Sequence, residues 1–322
     1  MSTNFWQALP KPFFILAPMD DVTDSSFRRI VAEAAAPDIF FTEFGNATGF
    51  QSPGRDRVGE KFYFDEVELA HPLVAQIWGN VPADYEQTAR DLASRGFAGI
   101  DINMGCPEKN IVARGCCAGL IDNHTLAGEI IATTKRGAGD LPVSVKTRIG
   151  VKTIDTEAWI SFLLEQDLAA LTVHGRTAKE MSKVPVHWDE IAKAVTLRNK
   201  IAPQTLIMGN GDILTREDGL KLAAEYGLDG IMMGRAIFHN PWVFATEQID
   251  HTPAERLTIL HRHLELHEAL WAGRKRYEPL KKFFKIYIQS FPGASDLRMQ
   301  LMETKTYAEA YVVLADYEQT RP

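Results

Sequence analysis

Eight short apolar runs recur along the chain, each followed by an amphipathic or loop segment. They are FFILAPM (13–19), IFFTEF (39–44), LVAQIW (73–78), GIDINMG (99–105), PVSVKTR (142–148), ALTVHGR (170–176), TLIMGNG (205–211) and GIMMGR (230–235). Most are continuous rather than alternating, the pattern of parallel strands covered on both faces. Between them Thr23-Asp24 precedes SSFRRIVAEAA, Asp84 precedes YEQTARDLASRG with Gly96 as a C-cap, and Thr215 precedes REDGLKLAAEYG. Strand and helix alternating eight times predict an α/β fold of one kind, a (β/α)8 TIM barrel.

After His251 the β-branched runs stop. The chain then reads as PAERLTILHRHLELHEALW, EPLKKFFKIYIQS and LRMQLMETKTYAEAYVVLADYEQ, with breakers at Gly273 and Pro292-Gly293. Residues 1–250 are read as a catalytic barrel and 251–322 as a C-terminal helical domain. No apolar run is long enough to span a bilayer, and MSTNFWQALPKPFF lacks the pattern of a signal peptide. Three cysteines, two of them adjacent, read as reduced thiols of a cytoplasmic enzyme rather than a disulfide scaffold. The net charge of −7 points to no polyanionic partner in bulk, so any such surface has to be local.

Polar residues collect where the strands end, which in a barrel is the active-site mouth. These are Met19-Asp20, Glu43, Gln76, Asn103 with Cys106, Lys146 with Arg148, His174 with Arg176, Asn210-Gly211-Asp212 and Gly234-Arg235. The glycine-rich turns GNGDI and GRAI after strands seven and eight suit a phosphate cradle, with Arg235 as a charged donor, or are simply tight turns. Cations at Lys146 and His174 suit the anionic edge of a reduced flavin, and Gln76 offers a donor and an acceptor to the amide-like edge of the same ring. A structural lysine and a satisfied histidine are the alternative. Cys106, between Gly105 and Pro107, reads as a nucleophile or proton donor. Cys116 and Cys117 read as packing at a helix start. No metal-ligand spacing is present, and His263 and His267, at i and i+4, read as a solvated helix face. In GRKRYEPLKKFFKIYI, Arg274, Lys275, Arg276, Lys281, Lys282 and Lys285 interleave with Tyr277, Phe283, Phe284 and Tyr287. That is the pattern of a nucleic-acid footprint, or of a solvated helix with an apolar back.

At these residues the chain resembles the tRNA-dihydrouridine synthase family over nearly its whole length. The likeness rests on APMDDVTDSSFR, AQIWG, DINMGCPEKNIVARG, VSVKTRIG, TVHGRT, GNGDI and MMGRAIFHNPW. The resemblance implies a flavin-dependent oxidoreductase with FMN in the barrel, a tRNA-binding helical domain, and NADPH as reductant. It places FMN contacts on Pro18, Met19, Asp20, Gln76, Lys146, His174, Asn210, Gly211, Asp212, Gly234 and Arg235. It places the catalytic thiol on Cys106 and substrate contacts on Asn103, Arg148 and Arg176. The implied partners are tRNA and NADPH, with no membrane, acting as a monomer. Asp21 stands where the family often has glycine, so the first turn is expected to differ slightly. Cys116-Cys117 stands where it usually has small residues, which makes these thiols either packing or an extra thiol near the site. MSKVPVHWDEI (181–191) matches loosely, and no role is carried onto it. The implied chemistry is hydride addition to uracil C6 with protonation of C5 by Cys106, on a uridine flipped out of the tRNA stack. The rival readings are a dihydroorotate dehydrogenase-like FMN barrel, a flavin-free isomerase or aldolase with Lys146 as Schiff-base amine, and a non-catalytic RNA-binding protein.

Overall fold

In the computed structural model, which describes residues 4–319, the eight runs form one closed parallel barrel. Its strands are β1 (Phe13–Leu16), β2 (Ile39–Asn46), β3 (Leu73–Trp78), β4 (Gly99–Met104), β5 (Val143–Arg148), β6 (Ala170–His174), β7 (Leu206–Asn210) and β8 (Gly230–Met233). Each pairs in parallel with its neighbours in chain order, and β8 closes on β1.

Side chains in a strand alternate faces, so every second residue points into the barrel. The lower interior is apolar: Phe13, Ile15, Ile39, Phe41, Val74, Ala170, Leu206, Met208 and Met232 form one buried cluster with Trp6. Burial of each large side chain there contributes about 1.5–3 kcal/mol. Two positions further along, the same faces turn polar: Val74 gives way to Gln76, Ala170 to Thr172 and His174, and Met208 to Asn210. The barrel is thus a plugged cylinder with a polar rim at its strand C-termini. At Phe41–Phe44 the register of β2 against β3 shifts, and there the Gln76 N–H donates to Thr42 Oγ1 at 3.2 Å.

The intervening helices follow the sequence signals closely. After α1 (Ser25–Ala35), α2 runs Pro82–Ala93 with proline in its first turn, three residues earlier than Asp84 suggests. Then come α3 (His124–Ala138), α4 (Thr156–Leu164), α5 (Trp188–Ile201) and α6 (Arg216–Tyr226). The Thr215 side chain caps α6, and Gly227 ends it in the left-handed conformation.

The compact units divide differently from 1–250 and 251–322. One unit runs through Asp24 and then Pro37–Gly234; the other comprises Ser25–Ala36 and the chain from Arg235 on. The physical reason is α1. Its Phe27 ring lies 4.8 Å from that of Phe283, and its Glu33 takes a two-pronged ion pair from Arg262 at 3.1–3.2 Å. In this unit α7 (Pro253–Trp271) opens with a capping box between Thr252 and Glu255. The stretch expected as a second helix is a 3-10 helix (Glu278–Phe283) followed by a single turn (Phe284–Tyr287). The last expected helix is two, α8 (Ala294–Glu303) and α9 (Tyr307–Gln319).

Two expectations about this unit are corrected. His263 and His267 are buried rather than solvated. Their Nδ1 atoms sit 2.9 Å from the Tyr287 hydroxyl and 2.8 Å from the Tyr307 hydroxyl, pairings that make a buried imidazole tolerable. The aromatics Tyr277, Phe283, Phe284 and Tyr287 are also buried, so they pack the core and offer no stacking surface. Arg274, Arg276, Lys282 and Lys285 remain exposed, whereas Lys281 donates to the Met302 carbonyl at 2.8 Å. No described helix is long and apolar enough to cross a membrane.

Candidate active site

The loop that leaves β4 carries the thiol. Asn103, the last inward-facing residue of β4, turns its Oδ1 onto the N–H groups of Gly105 and Cys106 at 3.0 and 2.9 Å. That is an Asx-type turn, the local bond that redirects a chain at a strand end. Pro107 follows, and a one-turn helix (Lys109–Val112) folds the loop back. The Ala118 N–H then donates to the Cys106 carbonyl at 3.3 Å. Gly119 has to lack a side chain, because a Cβ there would meet the Val112 carbonyl oxygen at 2.6 Å.

This return brings a second thiol to the first. Cys117 is fully buried, with its backbone in the left-handed region at φ 51°, and its thiol hydrogen-bonds that of Cys106. The bond is the main reason the half-buried Cys106 thiol falls to about 7; burial opposes it, and the Arg148 charge assists. Cys117 itself is pushed well above the usual thiol range by the same bond and by burial. The expectation that Cys116 and Cys117 merely pack holds for the buried Cys116, where burial raises the thiol. It does not describe Cys117.

Register aligns the rest. Gln76 lies beside Asp101 and Asp101 beside Ser144; Asn103 lies beside Lys146; Arg148 lies beside His174 and His174 beside Asn210. Lys146 Nζ donates to Asn210 Oδ1 at 3.1 Å, and the Asn210 amide donates on to the Met232 carbonyl at 2.8 Å. Burial, with the Arg148 charge in support, lowers Lys146 to about 8. Gln76 is completely buried, its Nε2 donating to Asp101 at 2.7 Å and its Oε1 accepting from Asn103 at 3.0 Å.

The two arginines expected against the substrate are buried and spend donors on the protein. Arg148 bonds the carbonyls of Gly105, Thr177 and Met181 at 2.8, 3.1 and 2.9 Å. Burial lowers it to about 10, still cationic at neutral pH. Arg176 bonds the Val184 carbonyl at 2.7 Å, grips the Asp212 carboxylate with both terminal nitrogens, and approaches His174 Nε2 at 3.4 Å. Arginine's planar fork suits both tasks. The segment 181–191, onto which no role was carried, thereby supplies carbonyls to both guanidinium groups.

At the β1 end Pro18 is buried, and the Met19 carbonyl accepts from the N–H groups of Val22 and Thr23. Asp21 adopts φ 56°, the left-handed conformation that glycine enters freely, and its N–H donates to Glu43 Oε1 at 2.6 Å. Asp20, Asp21 and Glu43 all face Lys61, with Nζ at 3.4 Å from Asp21 and 3.2 Å from Glu43. Burial works against the Lys61 charge, but Glu43 and Asp20 outweigh it and hold the group above its usual value. Gly211 has φ 134°, and a Cβ there would meet Val186 at 2.8 Å and the His174 ring at 3.2 Å, so bare backbone lines the mouth at this point. A Cβ on Gly234 would lie 3.7 Å from the Met19 sulfur, and the exposed Arg235 opens a 3-10 helix (Arg235–Phe238). Asp101, Ser144 and Lys61 are neighbours of the mouth that motif reading passed over. For Asp101 the signal was present, since it shares a strand face with Asn103 at a spacing of two.

A closed parallel barrel whose mouth combines a thiol of lowered pKa, a half-buried cation and paired amides is built for enzyme chemistry. The sequence pattern of dihydrouridine synthase (Dus) matches residues 15–320, and the chain belongs to that family. Among its relatives, a protein of Staphylococcus aureus (strain Mu50 / ATCC 700699) named "Probable tRNA-dihydrouridine synthase" is 50% identical over 99% of this chain and 97% of its own. One of Bacillus subtilis (strain 168), "Probable tRNA-dihydrouridine synthase 2", is 48% identical over 99% of this chain and 98% of its own. Among solved structures, morphinone reductase in complex with tetrahydroNAD superimposes with a TM-score of 0.50 at 13% identity, over 74% of this chain and 88% of the other, a likeness of fold.

Proposed function

We propose that the protein reduces the C5=C6 bond of uridines in tRNA, with FMN as its flavin and NADPH as reductant, acting as a monomer in the cytoplasm. The observation that carries this reading is the Cys106 thiol, held near pKa 7 by Cys117 at the mouth, with Asn103 and Lys146 paired beneath it. The donor set fits a flavin. Lys146 is a cation whose hydrogen bond goes to a neutral amide oxygen, and burial makes its charge costly until an anionic edge lies against it. Asn210 adjoins it, His174 lies beside Asn210 in the register, and Gly211 lets a ring approach bare backbone. Arg235 is the residue we assign to the cofactor's phosphate. When bound and reduced, the flavin supplies the hydride that adds at uracil C6.

Cys106 gives its proton to C5 as a neutral thiol. The Cys117 hydrogen bond and the Arg148 charge then stabilise the thiolate that remains, so donation costs little near neutral pH. Asn103 and Arg148 hold the loop on which this thiol stands. The uridine has to leave its stack to reach it. Unmodified tRNA should reoxidise the pre-reduced, flavin-loaded enzyme and gain dihydrouridine. A colourless protein that cannot be loaded with FMN, or one that tRNA does not reoxidise, contradicts the reading.

The sign of the pH dependence follows from the donor role. A proton donor works while protonated, so the single-turnover rate should fall as pH rises through about 7. Cys117→Ala removes the bond that lowers Cys106, so this falling limb should move to higher pH. An unmoved limb would separate Cys117 from the proton transfer.

On the helical unit, the exposed Arg274, Arg276, Lys282 and Lys285 are the phosphate contacts we assign. An Arg276→Ala, Lys282→Ala, Lys285→Ala variant should bind tRNA more weakly, with the slope of log K against log salt reduced by up to about one unit per lost contact. Flavin content should stay unchanged. A wild-type slope would move the footprint elsewhere.

A further inference from the structure

Beneath the mouth lies a line of hydrogen bonds buried from end to end. Ser144 Oγ donates to Asp101 Oδ1 at 2.6 Å, and Gln76 Nε2 donates to Asp101 Oδ2 at 2.7 Å. Asn103 Nδ2 donates to Gln76 Oε1 at 3.0 Å, and Asn103 Oδ1 receives the Gly105 and Cys106 N–H groups. Asp101 and Gln76 are fully buried, Ser144 is 1% exposed and Asn103 5%. Water therefore cannot replace a missing partner in this line.

A primary amide has a direction: one end donates, the other accepts. Two amides in series can point toward the loop or away from it, and the groups at the two ends of the line decide which. An ionised carboxylate only accepts and a backbone N–H only donates. Asp101 therefore requires the Gln76 NH2 to face it, which turns the Gln76 carbonyl to Asn103 and the Asn103 carbonyl to the loop. The loop N–H groups require the same orientation from the other end. Burial raises Asp101 to about 6 against the pull of Ser144, Gln76 and Lys146, which leaves it ionised at neutral pH.

We propose that Asp101 is a positioning residue for the catalytic loop: as the accepting head of the Gln76–Asn103 relay, it sets the direction of both amides and so fixes the carbonyl that holds Gly105 and Cys106. It acts three bonds from the thiol, from the floor of the mouth. The proposal deepens the reading of Cys106 as proton donor and rests on it for its meaning in turnover, but the geometry of the relay stands by itself.

Three variants separate this role from general packing. Asp101→Leu removes the acceptor, which leaves the Gln76 NH2 unpaired and only the loop N–H groups to orient the two amides. Asp101→Asn keeps an oxygen for Gln76 while its NH2 turns to the Ser144 hydroxyl, so the relay survives without the charge. Gln76→Met cuts the line one link later. Amide hydrogen exchange on the peptide spanning Gly105 and Cys106, measured on purified enzyme, reads the loop directly and needs no turnover. Loss of a hydrogen-bonded anchor should speed exchange there about tenfold or more in Asp101→Leu and Gln76→Met. Asp101→Asn should stay near wild type, and β6 should stay protected in all three. Single-turnover oxidation by tRNA should fall in parallel with the loop exchange. Fast exchange throughout the barrel in Asp101→Leu, or equal behaviour of the Asn and Leu variants, would reduce Asp101 to a packing or charge role. Should the Leu variant fail to fold, unchanged loop exchange in Gln76→Met overturns the relay. Fast loop exchange with undiminished tRNA turnover would instead keep the relay and remove Cys106 as donor.

Discussion

Cys106→Ala should bind flavin and accept electrons from NADPH like the wild type, yet fail when unmodified tRNA is offered to the reduced enzyme. The expected loss in single-turnover flavin oxidation is at least about a hundredfold, the effect of removing a general acid. Cys106→Ser should fail as well, because a hydroxyl gives up its proton far less readily than a thiol already lowered to about 7. Cys116→Ala should retain most activity, since that thiol packs in the loop and reaches no further than the Arg114 carbonyl, 4.0 Å away. Wild-type oxidation in Cys106→Ala would place the proton donor elsewhere.

The second large effect is expected at Lys146. Removing the ammonium in Lys146→Ala deprives the anionic ring edge of its cation and leaves Asn210 Oδ1 without its donor. Loss of a charged hydrogen-bond partner costs about 1.5–3 kcal/mol, so flavin retention should weaken roughly ten- to more than a hundredfold. Equilibrium dialysis of FMN against the variant, with the rate of flavin reduction by NADPH as a second reading, checks this. Wild-type retention combined with a wild-type reduction rate would remove Lys146 from the cofactor site. Lys146→Arg should not restore binding fully, because the planar guanidinium is broader than the ammonium and presents its donors in a fixed fork.

The barrel was largely legible in the sequence because its strands are buried on both faces. Continuous apolar runs survive as a one-dimensional signal, and β3 begins and ends at the residues of LVAQIW. The capping residue Thr215 marked a helix start for the same local reason. What escaped was settled by distance along the chain. His263 and His267 are polar types on a helix, so they read as solvated. The tyrosines that satisfy them stand 24 and 40 residues away. Cys117 reads as packing until the loop closes and returns it to Cys106. The basic run EPLKKFFKIYIQS reads as one helix, whereas it forms a 3-10 helix and a single turn. Arg148 and Arg176 drew attention as exposed-type residues at a barrel mouth, and only the fold reveals how many main-chain oxygens converge on them.

The grip of Arg148 has a consequence for how this protein tolerates change. Its guanidinium joins the loop after β4 to the loop after β6 by reading carbonyl oxygens, which every residue type carries. The splice is therefore blind to the side chains at positions 105, 177 and 181. The contacts ask only that the main chain keep its path, although a Cβ on Gly105 would lie 3.3 Å from the Lys146 carbonyl oxygen and Met181 holds φ 55°. Arg148 is the fixed partner: lysine, with one rounded head in place of a flat fork, spans fewer of the three oxygens. Two loops far apart in the chain thus share one fastener, and it ties the freedom of the thiol's loop to backbone course rather than to local sequence.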